Sequence, residues 1–440
     1  MTPYQPPTPK SKRRWYQYSL RALLIFVTLF AIACSWFVVK MHQAKTQKEA
    51  VETLLKLGFY VAYDYEYEWD STDTLLYGRE PSGPEWLRNL LGKDFFCNVT
   101  AIGGLNNRIT EAGLENIKKL TKLQHLSLRG PKITDGYMEI INGRTQLREL
   151  IIWYSPITDI GLEKIKGLSN LQRLDLWGSK ITDAGLIYLK DMTHLQDLNL
   201  PKTHITNAGL VHIKGLTQLH GMNLSGTKIS DTGLEQLKGL ERLRSLMLSD
   251  TEISDAGLEQ LKGLKQLQTL SIGGPKITDA GLEIIKEMTE IQNLYLDEAQ
   301  ITDAGLEYIK GMTQLKVLSI GRSKITDAGL ENIKDMTQLG TLVLNETKIT
   351  DAGLEHLQGL IQLQTLFLAG TDITDTGLKY LKGLTQIQIL NLGYTKVTDA
   401  GLGNLAGLTK LNLIILKNTK VTDAGIQNLK NALPHLQILS

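Results

Sequence analysis

From about residue 109 to the C-terminus the apolar positions recur with one fixed period. In the stretch Leu171 to Leu195 they fall at Leu171, Leu174, Leu176, Ile181, Leu186, Leu189 and Met192, and Leu195 opens the next copy. The glycine of the phrase D-A-G-L stands at Gly161, Gly185 and Gly209, 24 residues apart, and continues in step to Gly425. An earlier match stands at Gly113, and Tyr137 replaces the glycine in the one deviating copy. Leu174 and Leu176 alternate with Arg173, Asp175 and Trp177, a period of two that predicts a short strand with one buried face. Leu186, Leu189 and Met192 follow at three-residue steps after Thr182 and Asp183, which predicts a short helix or 3₁₀ turn with a capping side chain at its start. Gly178 and Gly167 punctuate the joins.

A single strand and turn of this size cannot bury its own leucines, so the copies must stack and share one core. The expected fold is an α/β solenoid. The L-x-x-L-x-L pattern followed by a short helix resembles the leucine-rich repeat family over roughly three quarters of the chain. That resemblance implies a right-handed superhelix with a parallel sheet on its concave face and short helices on its convex face. The I-T-D-A-G-L phrase looks most like the cysteine-containing subclass of F-box adaptor proteins. Here Ser179, Thr203, Thr227, Thr251, Thr347 and Thr371 stand where that subclass has Cys or Asn. These are expected to form a hydroxyl ladder, broken at Pro131, Pro275 and Ala299, with each bond worth about 1 kcal/mol.

Ahead of the repeats, Ala22 to Val39 is 18 residues without a charge. As a helix it would span about 27 Å, enough for most of a bilayer core. Trp15, Tyr16, Tyr18 and Trp36 suit the two interfaces, and Lys10, Lys12, Arg13, Arg14 and Arg21 place the amino terminus in the cytoplasm by the positive-inside rule. Ala31-Ile32-Ala33 followed by Cys34 also resembles a signal-peptidase site or a poor lipoprotein box, so a cleaved and secreted or periplasmic form is the alternative. Met41 to Leu57 reads as a further helix ended by Gly58. Val61, Tyr63, Tyr65, Tyr67 and Trp69 then alternate with polar residues as a strand with an aromatic and an acidic face. Ser71 to Pro84 reads as a loop and Glu85 to Leu91 as a short helix. Val99 and Ile102 stand one period before Leu123 and Leu126, marking a degenerate first repeat. The expected domains are thus a basic disordered tail (1–19), a transmembrane signal-anchor helix (20–40), an N-terminal cap (41–98) and the repeats (99–440). The N-terminal cassette resembles, more loosely, the leaders of membrane-anchored repeat proteins of environmental bacteria.

Composition narrows the function classes. With 46 acidic and 48 basic residues interspersed and a net charge of +2, no basic stripe marks a nucleic-acid partner. The two cysteines, Cys34 and Cys97, argue against the disulfide-bonded caps of many animal and plant extracellular repeat proteins. This favours a bacterial origin or a cell interior. The last copy carries an extra residue around Pro434 and stops at Ser440 without a polar cap, an edge expected to be covered by self-association or a partner.

Catalytic and cofactor motifs are not found: there is no G-x-S-x-G, Walker loop or H-E-x-x-H. His194, His204, His212 and His220 fall in different slots of the repeat and cannot converge on a metal. Asp159, Asp183, Asp231, Asp255 and Asp279 suggest a calcium ladder, but their place before a helix makes N-caps the favoured reading. The variable positions that remain are those of the exposed strand face. In the middle copies they are small and neutral: Gly221, Asn223, Ser225, Ser245, Ser249, Thr269 and Ser271. The first four copies carry His125, Arg129, Glu149, Trp153, Tyr154, Arg173, Asp175, Trp177 and Asp197, a composition typical of interface hot spots. Against this, Trp153 and Trp177 could simply stack on each other and shield the sheet.

The expected function is a non-catalytic scaffold, held at the membrane through residues 20–40, that binds protein or glycan outside the cytoplasm. The competing class is an intracellular F-box-like substrate adaptor for ubiquitin ligation. No F-box-like helical segment stands ahead of the repeats, which weakens that reading.

Overall fold

Each copy supplies one strand to a continuous sheet, and the sheet is held by partners 24 residues apart. The computed structural model describes residues 20–66, 68–69, 75–76, 80–105 and 110–440. The expected basic tail, Tyr67 and much of the expected 71–84 loop lie outside the described residues.

The chain begins with α1 (Leu20–Lys56), followed by β1 (Tyr60–Tyr63) and a small hairpin of β2 (Glu68–Trp69) and β3 (Leu75–Leu76). Helix α2 (Glu85–Leu91) leads through a 3₁₀ turn, Lys93–Phe95, into β4 (Val99–Leu105) and α3 (Glu111–Lys119). Then come β5 (His125–Arg129), β6 (Glu149–Trp153), β7 (Arg173–Asp175) and β8 (Asp197–Asn199), and so on to Gln437–Leu439. Sixteen strands form one sheet in chain order, with β1 antiparallel on the outer side of β4 and every later pair parallel. Ile102, Leu126, Leu150 and Leu174 pair in succession, so the degenerate copy at Val99 is in step with the array.

The inward residues of each strand and the apolar residues of each convex turn are almost all fully buried in one core running the length of the molecule. At roughly 1.5–3 kcal/mol per buried aliphatic side chain, this shared burial is what makes the copies interdependent. The convex segments vary between a short α-helix, as at Asp159–Ile165, and a 3₁₀ turn, as at Gly185–Leu189. Segments this short gain little from helix propagation, so packing decides their form. Their outer faces carry the expected Glu–Lys pairs, Glu163 with Lys166 at 3.5 Å and Glu307 with Lys310 at 3.1 Å.

Several expectations need correction. The apolar run and the following amphipathic segment are one unbroken helix, because neither Gly nor Pro interrupts Leu20–Lys56 and Ala44, Ala50, Val51 and Leu54 bury its far end. The strand expected to continue through Trp69 stops at Tyr63. The Glu66 carboxylate accepts from the Tyr63 backbone N–H at 3.1 Å and turns the chain there. The extra residue expected near Pro434 does not reach the sheet: the longer helix Asp423–Ala432 sets Leu433 and Leu436 one place late, but Leu413 pairs with Gln437 at the ordinary 24-residue period.

The repeat's polar residues also do different work from that expected. Where a side chain caps one of these turns it is the threonine, as at Thr158, Thr278 and Thr398, and the aspartate sits just inside the turn. The Asp159 carboxylate instead reaches the next copy, accepting from the Thr182 backbone N–H at 2.8 Å and the Thr182 hydroxyl at 2.6 Å. The same pair of bonds recurs from Asp135 with Thr158 to Asp399 with Thr422. Where Asn207 replaces aspartate, its amide makes the equivalent bonds with Ser230. Conversely, the expected hydroxyl ladder is not a ladder. Thr203, Thr227 and Thr371 donate to carbonyls three residues back in their own copy, closing a local turn. Gly178 has a positive φ of 69°, but Gly167 does not, so only the first of the two joins needs the left-handed region.

Candidate binding surface on the concave sheet

The side chains singled out from the sequence fall on adjacent strands, or just past their ends at Tyr154 and Trp177, in three rows. In the first, His125, Glu149, Arg173 and Asp197 are successive pairing partners on β5 to β8. Glu149 lies between its neighbours, with its carboxylate 3.3 Å from His125 Nδ1 and 3.6 Å from Arg173 Nη1. All three are partly shielded, so the Glu149–Arg173 ion pair lies on a half-buried strip, where a pair is worth more than on open surface. Asp197 extends over Gly221 of the next strand: a Cβ built there would meet its Oδ1.

In the second row Asp175 pairs with Ile151 and Asn199. It is not displayed as expected for a residue of the exposed face, being only 7 % exposed. Its Oδ1 accepts from the Trp177 backbone N–H at 3.3 Å and its Oδ2 from Asn199 Nδ2 at 3.4 Å. Burial pushes the Asp175 carboxyl above the usual range, against the opposing pull of the Trp153 indole, the Trp177 N–H, Arg173 and Asn199. The buried Trp153 indole nitrogen has no partner in full hydrogen-bond geometry, so its pull on Asp175 is that of a nearby dipole.

The third row is aromatic. Arg129 pairs with Trp153 across the strands, and Trp153 meets Trp177 edge to face with ring centroids 5.9 Å apart. Tyr154 packs on Trp177 at 5.0 Å, and the Arg129 guanidinium stands 4.9 Å from the centre of the Tyr154 ring. Such aromatic and cation–π contacts contribute roughly 0.5–1.5 kcal/mol each. The two tryptophans are half-buried, whereas Tyr154 is 43 % exposed. Tyr154 has a positive φ of 52°, but so do Lys202, Glu298 and Arg322 at the same place in later copies. That backbone is therefore a property of the repeat and not of the aromatic cluster.

A second stripe was missed by reading only the first and middle copies. Val317, Val343, Phe367, Ile389, Leu413 and Ile415 occupy the same outward strand positions and are each only partly buried. The signal was present in the sequence, as apolar residues where other copies place Ser, Thr or Asn. Beside it, Gly340 stands where other copies have a long side chain. It opens a shallow hollow lined by Lys316, Gln338, Gln362, Gln364 and Asn293. Among the described residues no group of three or more metal-ligating side chains comes together.

The family model for leucine-rich repeat regions matches residues 135–354, half the chain. No match is found among curated proteins. Among solved structures, an internalin of Listeria monocytogenes is similar at 25 % identity and a TM-score of 0.50, over 70 % of this chain and 89 % of that one. A leucine-rich repeat protein of Leptospira interrogans is similar at 20 % identity and a TM-score of 0.50, over 77 % of this chain and 88 % of the other. The solenoid, the sheet register and these matches agree, and the chain belongs to the leucine-rich repeat family, whose members are typically non-catalytic binding proteins.

Proposed function

We propose that this is a membrane-anchored binding scaffold whose ligand, a protein or a glycan, docks on the strip from His125 to Asp197. The observation that carries the reading is the cluster of Arg129, Trp153, Tyr154 and Trp177 on one sheet face, beside the polar row His125, Glu149, Arg173 and Asp197 of β5 to β8. Rigid aromatic side chains flanked by arginine supply large contact area at low entropic cost, as hot spots require.

The anchor part of the proposal rests on α1. Its apolar window is long enough to cross a bilayer, and none of it is buried inside the protein. Retention of the segment is favoured over cleavage because the helix runs past Cys34 without a break. Trp36 and Phe37 also pack on Phe95 of the folded part, at centroid distances of 6.2 and 5.5 Å. With the basic residues upstream, the amino terminus lies in the cytoplasm and the repeats outside it.

Ligand capture by the wild type is compared with that by the Trp153→Ala/Trp177→Ala variant. Loss of capture with nearly unchanged thermal stability is expected. A collapse of stability would show that the tryptophans only shield the sheet. Proteolysis of the repeats in intact cells, set against lysed cells, tests the topology.

A further inference from the structure

Helix α2 has no buried residue, and it carries Trp86 and Leu90 at 68 % and 71 % exposure. Four residues apart, they share one helix face. A seven-residue helix that presents a tryptophan and a leucine to water is costly unless something apolar covers them.

Its position identifies what that is. Helix α2 packs on the 3₁₀ turn Lys93–Phe95, and Phe95 touches both Trp36 and Phe37 where the apolar part of α1 ends. Phe96 extends this aromatic cluster, with its ring 5.0 Å from Phe95. Gly83 is pressed so close to Phe96 that a Cβ there would come within 2.7 Å of its ring. Arg88 donates to the Pro81 and Gly83 carbonyls, at 2.7 and 2.5 Å, which holds the turn ahead of α2 and keeps that charge on the turn. Helix α2 is therefore fixed to the point at which α1 leaves its apolar stretch.

We propose that Trp86 and Leu90 insert into the headgroup layer of the bilayer that α1 crosses, so that α2 lies on the membrane surface as a second contact. The proposal rests on the reading of α1 as a membrane anchor. Tryptophan is the side chain suited to this depth, and one apolar face on a short helix matches an interfacial segment. Because α1 continues without a joint into the cap, where it packs on α3, two contacts fix the attitude of the whole solenoid to the membrane.

The test uses the full chain with Cys34→Ala, reconstituted into phosphatidylcholine–phosphatidylglycerol vesicles. Cys97 is buried and escapes labelling. An environment-sensitive fluorophore is placed at Asn89→Cys, beside the two apolar residues, or at Val27→Cys within α1. Nitroxide lipids, carrying the quencher at the headgroup or along the acyl chain, report contact. Quenching of the position-89 probe by headgroup nitroxide, with a blue-shifted emission, is expected. Both should be lost in Trp86→Ser/Leu90→Ser while the position-27 probe stays quenched by acyl-chain nitroxide. If position 27 is quenched and position 89 behaves like a probe in water, the surface contact is refuted and the anchor stands. If neither is quenched, the anchor reading fails and takes the contact with it.

Discussion

Asp159 accepts two hydrogen bonds from Thr182, one from its backbone and one from its hydroxyl, and so ties one turn of the solenoid to the next. The same carboxylate explains the glycine of the D-A-G-L phrase in the following copy. A Cβ at Gly185 would lie 2.3 Å from Asp159 Oδ1, so only glycine leaves room for the bond. Three residue types of the motif are thus one device.

Breaking a central rung should be costly. Asp279 accepts from Thr302 at 2.8 and 2.6 Å. Asp279→Ala is expected to lower stability by about 1.5–3 kcal/mol, the range for hydrogen bonds to a charged group. Asp279→Asn should recover much of the loss, since Asn207 makes equivalent bonds to Ser230 of the next copy. Urea denaturation of the three proteins measures this.

The glycine and the aspartate should also be energetically coupled. A Cβ at Gly305 would sit 2.1 Å from Asp279 Oδ1, so Gly305→Ala is expected to destabilise by roughly 1–3 kcal/mol. In the Asp279→Ala background that penalty should shrink, which a double-mutant cycle reads directly. Gly311 has open space at its Cβ position and no left-handed φ. Gly311→Ala should therefore be neutral, or stabilising by about 0.4–1 kcal/mol through the unfolded chain.

Acid should weaken the bonds that Asp351 and Asp399 make to the next copy. The Asp399 carboxyl is held below its ordinary range by the Thr422 hydroxyl and backbone N–H. At Asp351, burial raises the pKa, but hydrogen bonds from Thr374 and Thr376 together outweigh it and the net shift is downward. A depressed folded-state pKa contributes stability above the unfolded value, near 3.9, that is lost as pH falls through the folded value. Denaturation midpoints should therefore drop on acidification below the ordinary carboxylate range. Replacing Asp399 by Asn should flatten that drop.

Asp175 should behave in the opposite sense. Its pKa is raised, chiefly by burial, so the folded state is penalised as pH rises from the ordinary carboxylate range through the higher folded value. Asn223 and Asn391 occupy the same row and make the same bond to the backbone two residues on, each at 3.0 Å. Asp175→Asn is expected to be tolerated at low pH and increasingly stabilising toward neutrality. A loss of stability at pH 7 would mean that the charge itself is required.

The chain's periodicity determined the solenoid, because Leu174 and Leu176 alternate while Leu186, Leu189 and Met192 step by three, and no other stacking buries both sets. It also placed His125, Glu149, Arg173 and Asp197 in one row, since a fixed period in a parallel sheet makes equivalent residues neighbours. What the period could not show is direction within a copy. Whether Asp159 caps its own turn or reaches for Thr182, and whether Asp175 faces solvent or sinks beneath the tryptophans, depends on side-chain packing between copies. The same holds for Trp86: the sequence sets it on a short helix, but only the fold packs that helix on the turn Lys93–Phe95, whose Phe95 meets Trp36. Local sequence records the pattern of burial, but contacts between elements far apart in the chain exist only once the core has brought them together.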